Sequence, residues 1–199
     1  MCVLESERLI LRPPRPGDIQ SMTVWLGDYD VARMTARVPH PYGESDAEAF
    51  IAAGAPHRFV IEHKKAGVFL GMAGLNTDDA CEFGYWLGKP FWGQGYATEA
   101  ARRLPVYAFE VLDLESLHAG WFYDNPASGH VLAKLGARHN GSQARDCRAR
   151  GSKVLCHDML LTRADFLRKQ AAQERRREPE RPTNKVRPRE REQPRISRV

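Results

Sequence analysis

The run Tyr85-Trp86-Leu87-Gly88-Lys89-Pro90-Phe91-Trp92-Gly93-Gln94-Gly95-Tyr96-Ala97-Thr98-Glu99-Ala100 sets three glycines ahead of small residues at helical spacing. A strand that passes through glycines into a helix start presents unpaired backbone N–H groups at the positive end of a helix dipole. Glycine also lets that backbone approach a ligand closely. The chemistry on offer is anion binding, with phosphate as the usual occupant. Two familiar phosphate sites are excluded. No Gly-Lys-Ser/Thr is present, and Gly93-Gln94-Gly95 lacks the third glycine of the dinucleotide fingerprint. A tight turn before a well-started helix accounts for the same residues.

A second group fit for chemistry is the carboxylate of Glu82, at the head of the strand-like run 81–88. Alternation sets Cys81, Phe83, Tyr85 and Leu87 on one face and Glu82, Gly84 and Trp86 on the other. From there a carboxylate can take a proton from an ammonium through water; as an ordinary strand residue it simply faces solvent. Cys81 reads as a small core residue rather than a nucleophile. In Asp124-Asn125-Pro126-Ala127-Ser128, Asn125 reads as a helix N-cap with Pro126 at the first helical position, and Ser128 falls in the first turn. The seven histidines show no ligand spacing, and the four cysteines form no CxxC, so no metal is expected. The cysteines read as free thiols of a reducing, cytoplasmic setting.

The elements that must position these groups follow from periodicity. Residues 4–12 alternate as a first strand, stopped by Pro13-Pro14-Arg15-Pro16-Gly17-Asp18, with Asp18 a cap for a following helix. Helical spacing covers 19–37. It restarts after Val38-Pro39-His40-Pro41-Tyr42-Gly43, capped by Ser45 or Asp46. Strand-like runs occupy 58–64, 68–76 and 81–88, joined by turns short enough for antiparallel hairpins. Ala97, Ala100, Ala101, Leu104 and Ala108 mark a helix face, within which Pro105 should kink the helix or shift a boundary. A strand at 116–123, a helix at 124–138 ended by Gly136, and a strand at Val154–Thr162 complete the body, with a polar, glycine-containing stretch before the last. The reading is a mixed α/β domain of residues 1–167.

From Arg168 to Val199 there are 12 Lys/Arg against 5 Asp/Glu. The +5 net charge of the chain therefore belongs to this tail, and the body is near −2. A near-neutral body weakens any case for nucleic-acid binding by the domain itself. The tail, 168–199, reads as disordered. No apolar run reaches membrane-span length, and the first residues lack a secretory hydrophobic core.

Several blocks, in order, resemble the GNAT acyl-CoA N-acyltransferase superfamily, and within it the branch that acetylates ribosomal-protein N-termini. They are Ser6–Pro13, His40–Tyr42 with Ser45–Ile51, Glu82–Leu87, Phe91–Ala100, Asp124–Ala137 and Leu161–Phe166. The resemblance spans about 4–166 and leaves the tail without a counterpart. It implies a central, mostly antiparallel sheet flanked by helices, with a splayed strand pair holding acyl-CoA. It lays the pyrophosphate on the N–H groups of Trp92-Gly93-Gln94-Gly95-Tyr96-Ala97, continuing to Thr98. Trp92 stands where the superfamily has Gln or Arg. The strand holding Tyr85, Trp86 and Leu87 would follow the pantetheine arm, and an N–H of Trp86 or Leu87 would face the developing oxyanion. The resemblance implies Glu82 as base, Ser128 as acid for the leaving thiolate, and Asn125 as a pantetheine contact. His40 and Tyr42 are candidates for the acceptor pocket, and equally good as turn and packing residues.

The expected function is transfer of an acetyl group from acetyl-CoA to a protein N-terminal or small-molecule amine, with a homodimer as the assembly common among similar proteins. Two rivals stand beside it: a CoA-binding regulator without catalysis, and a ribosome- or RNA-associated adaptor acting through the tail.

Overall fold

The computed structural model describes residues 2–54, 56–77 and 81–177, with side chains through Arg175. One eight-stranded sheet runs through it in the order β1-β2-β3-β4-β5-β6-β8-β7. Its first half is a meander of β1 (Leu4–Glu5), β2 (Leu9–Arg12), β3 (Arg58–His63), β4 (Val68–Asn76) and β5 (Glu82–Leu87), every neighbour antiparallel. The second half is β6 (Ser116–Phe122), β8 (Ser152–Thr162) and β7 (Arg138–Cys147), also antiparallel. The halves meet along β5 and β6, which run parallel and register at a single pair, Glu82 with His118.

Helices cover both faces. On one lie α4 (Tyr96–Glu110), α5 (Pro126–Leu135) and α6 (Arg163–Arg177); on the other α1 (Ile19–Gly27), α2 (Tyr29–Ala32) and α3 (Glu44–Ala52). Strand alternation feeds both cores. Leu9, Leu11, Phe59, Ile61, Phe83 and Leu87 pack under α4 and α5, and Val60, Phe69, Met72 and Trp86 under α1–α3. The small residues of α4 let it lie close to the sheet. Ala100, Ala101, Leu104 and Ala108 are wholly buried, and Leu104 alone contributes about 1.5–3 kcal/mol.

Several expectations are revised. The single strand over 4–12 is a hairpin, turned at Ser6 by its N–H on the Leu9 carbonyl (3.0 Å) and by its hydroxyl accepting the Leu9 N–H (3.2 Å). Asp18 does not cap α1. Its buried carboxylate takes the Arg15 N–H (2.8 Å) and a two-pronged bond from Arg12 (2.7 and 2.9 Å), so its charge is compensated. Gly43, not Ser45 or Asp46, precedes α3, while Asp46 reaches back to accept the Gly43 N–H (2.9 Å). Pro105 sits inside α4 without ending it. The stretch 138–147, polar and unassigned from sequence, is the edge strand β7. It escapes the alternation test because nearly all of it faces solvent. Helix α6 continues through Arg177, past the boundary expected at 168; the rest of that tail lies outside the described residues.

Candidate active site

Because β5 and β6 touch at one pair and then part, a wedge opens between them toward Leu87 and Phe122. Its β5 wall can be worked out from the ladder. The Gly88 N–H donates to the Leu70 carbonyl (2.8 Å), and hydrogen-bonded pairs alternate along an antiparallel ladder. Gly84 and Trp86 therefore spend their backbone groups on β4, while Tyr85 and Leu87 turn theirs into the wedge. Of Trp86 and Leu87, Leu87 is the one whose N–H turns into the wedge. The Trp86 side chain belongs to the core under α1–α3, tilted on Phe69.

At the mouth of the wedge the chain turns through Lys89–Phe91 into the loop before α4. Gly93 and Gly95 have φ of +74° and +82°, a conformation open to glycine and costly for other residues. The first helical bond runs from the Glu99 N–H to the Gly95 carbonyl (3.1 Å). Among the described residues no backbone acceptor takes the N–H groups of Gly93, Gln94, Gly95, Tyr96, Ala97 or Thr98, and no side chain caps the helix. The loop's side chains brace it instead. The Trp92 indole donates to the Leu87 carbonyl (2.8 Å), and the Gln94 amide to the Pro90 carbonyl (2.8 Å).

Arg8, unassigned from sequence, stands beside this loop. Its guanidinium donates to the Gln94 carbonyl (3.2 Å), lies over the Tyr96 ring (4.4 Å) and pairs with Glu99 (2.7 Å). Glu99 is partly desolvated, yet bonds from the Arg8 N–H, the Ser6 hydroxyl and the Arg8 side chain hold its carboxyl below the usual range. The anionic group in the first turn of α4 is thus spoken for.

On the α4–α5 face, the Tyr85 hydroxyl meets the Ser128 hydroxyl at 3.0 Å. Asn125 caps α5 as expected, accepting the Ser128 N–H (3.3 Å), with Pro126 at the first helical position and Gly136 left-handed at the end. Burial pushes the Tyr85 phenol up to about 12, against a smaller opposing pull from Ser128. At neutral pH the phenol keeps its proton, so Ser128 sits in a two-hydroxyl relay.

The opposite face holds a cavity of about 370 Å³ at the closed end of the wedge, lined by Arg37, Glu82, His118, Gln143, Arg145 and Asp158 among others. Arg145 donates to one Glu82 oxygen through Nη1 and to Asp158 through Nη2 (2.8 Å), and Gln143 donates to the second Asp158 oxygen (2.6 Å). Arg37 donates to the other Glu82 oxygen (3.3 Å). Burial works against the Arg145 charge, but pairing with Glu82 and Asp158 prevails and raises its pKa. Both Glu82 oxygens are therefore occupied by guanidinium. Arg37 is fixed through its backbone, with the Ala36 carbonyl accepting the Arg148 N–H (3.0 Å). A chain of ion pairs, Lys89–Asp30–Arg33–Asp124–Arg150, crosses on this face from the end of β5 to the end of β6.

The two expected pocket residues lie elsewhere. Tyr42 is buried under α1–α3, its phenol pushed up to about 12 by burial and then by Asp46. His40 is exposed and tilted on Tyr29 at 5.0 Å. Neither lines the cavity. The arginines and Asp158 that do line it gave no local signal, since Glu82 and Arg145 are brought together only by the sheet.

A family model described as an acetyltransferase (GNAT) domain matches residues 8–138. The uncharacterized N-acetyltransferase p20 of Bacillus licheniformis is 27% identical over 177 residues, covering 83% of this chain and 99% of that one. Among solved structures, Mycobacterium smegmatis RimJ with CoA-disulfide superposes with a TM-score of 0.73 at 19% identity, covering 87% of this chain and 95% of that one. The Vibrio cholerae spermidine N-acetyltransferase, solved with CoA and spermine, gives 0.69 at 20% identity, covering 81% of this chain and 99% of that one. The structural likenesses speak for the fold, and the family match over most of the folded body agrees with them: the chain belongs to the GNAT family of N-acetyltransferases.

Proposed function

We propose that acetyl-CoA is the donor and that the acetyl group passes directly to an amine held in the cavity beside Glu82. The observation that carries this reading is the wedge together with the row of unclaimed N–H groups at 93–98. Those donors, at a helix start and next to the Arg8 cation, suit a diphosphate. The Tyr85 backbone groups and the Leu87 N–H suit the amides of a pantetheine arm, the Leu87 carbonyl being bonded to the Trp92 indole. Acetyl-CoA supplies an activated acyl carbon and a thiolate leaving group. The protein positions it and manages protons. Ser128, backed by Tyr85, protonates the thiolate, a contribution on the order of 10²–10⁴-fold. Asn125 caps α5 with its carbonyl, and among the described residues no acceptor takes its side-chain NH₂, which is free to contact the arm.

The acceptor is read from charge. The cavity presents Arg37 and Arg145 against Glu82 and Asp158, two of each sign. A polyamine calls for an excess of carboxylate. A single amine flanked by hydrogen-bonding groups, such as a peptide N-terminus or a small polar amine, suits a balanced wall better. A cytoplasmic setting and a basic tail beyond the folded body belong to the same reading; no described helix is long and apolar enough to cross a membrane.

Calorimetry with acetyl-CoA, followed by thiol release with a Ser-Ala peptide amide and with spermidine, tests the proposal. Binding plus turnover of the peptide is the expected result. Failure of acetyl-CoA to bind overturns it, and spermidine as the preferred acceptor overturns the charge argument alone.

A further inference from the structure

We propose that His118, rather than Glu82, takes the proton from the acceptor amine. This rests on the acetyltransferase reading above. The two residues are register partners across the β5–β6 junction and line the same cavity, one on each side of the point where the wedge closes. They differ in what they are free to do. Glu82 gives one oxygen to Arg145 and the other to Arg37. A carboxylate placed between two guanidiniums gains a proton only by weakening both pairings.

His118 is half-buried, and among the described residues its imidazole has no hydrogen-bond or ionic partner. Its backbone is fixed, with its N–H on the Cys81 carbonyl (3.1 Å). The ring rises from a fixed backbone with its nitrogens open, in a residue type suited to proton transfer. The charged or titratable groups around it on this face are Glu82 from β5, Arg145 from β7, Asp158 and Cys156 from β8, and Arg37 from the loop after α2. The carboxylates already have arginine partners, so an imidazolium formed during reaction meets a wall of no net charge. Glu82 is then a positioning residue that holds Arg37 and Arg145 in place.

The ammonium of the acceptor gives one proton to the His118 imidazole. Its nitrogen then attacks the thioester carbon, forming the C–N bond as the C–S bond breaks. The nitrogen gives its second proton to water in the open cavity, the departing thiolate takes one from the Ser128–Tyr85 relay, and the relay regains one from solvent. His118 returns its proton to water through the open cavity.

The test is the pH dependence of kcat/KM with the Ser-Ala peptide amide, for wild type, His118→Gln, His118→Ala and Glu82→Gln. The wild type should show an acid limb. His118→Gln should lose the limb and fall roughly 10²-fold at neutral pH, with the deficit shrinking as pH rises and free amine accumulates. Added imidazole should restore part of the rate to His118→Ala. Glu82→Gln should raise the acceptor KM and keep the limb. Acetyl-CoA affinity should be unchanged in the His118 variants, which shows that they fold. An acid limb that survives His118→Gln and disappears in Glu82→Gln overturns the assignment while leaving the acetyltransferase reading intact. A wild type that binds no acetyl-CoA, or turns over no amine, overturns both.

Discussion

The two sides of the wedge are built from different materials. Toward α4 the surface is backbone: glycines at positive φ, a bare helix start and strand groups with no strand to pair with. Toward β7 it is side chain: two arginines, two carboxylates, a histidine and amides, drawn from five strands and a loop. A backbone surface reads what every ligand of one class shares, such as a diphosphate or a peptide-like arm. A side-chain surface is redrawn by single substitutions. The difference explains how one cofactor can serve a family whose acceptors differ.

Substitutions on the two sides should therefore have separable effects. The largest is expected for Ser128→Ala, which should lower kcat by about 10²-fold or more with little change in acetyl-CoA affinity; Tyr85→Phe should reproduce part of this, as single-turnover thiol release will report. Gly95→Val should come next. It forces a branched residue to φ +82° beside Arg8, and strain of about 1–3 kcal/mol corresponds to roughly 5- to 150-fold weaker acetyl-CoA binding by calorimetry. Arg145→Ala should raise the acceptor KM about tenfold by releasing Glu82 and Asp158, while acetyl-CoA binding stays within twofold. If Arg145→Ala weakens the cofactor as much as the acceptor, the division between the sides fails.

The smallest effect belongs to the ion-pair chain. Arg150, against a modest burial cost, holds the Asp124 carboxyl below its ordinary value. A depressed carboxylate contributes stability that is present above the unfolded pKa and is lost as pH falls through the folded one. Asp124→Asn should thus lower the urea midpoint at pH 6 by less than about 1 kcal/mol equivalent, and the gap should close as pH drops below the carboxylate range.

The same division governs what was legible in the sequence. Cap chemistry at Asn125-Pro126 and Gly136, and the glycine loop at 93–95, are local signals, so they could be read without the fold. The face assignments along β5 followed from alternation. Three things were not readable. Strand β7 is an exposed edge whose polar residues mimic a loop. Tyr42 suits a pocket wall and a packing position equally well by sequence, and only the fold shows it packed inward with Met22 and Leu26. The pairing of Glu82 with Arg145, and the placing of His118 on the same cavity, are created by β7 pairing to β8 and β8 to β6, a relation with no trace at short range.

The single register pair between β5 and β6 has a consequence for the life of the protein as well as for its chemistry. Five strands on one side and three on the other share one rung of ladder, so the sheet is left unfinished at its centre. Whatever fills the wedge acts as the missing strand, and its binding energy is added to the folding energy by mass action. A chain arranged this way is more resistant to unfolding and proteolysis when the filling molecule is abundant than when it is scarce.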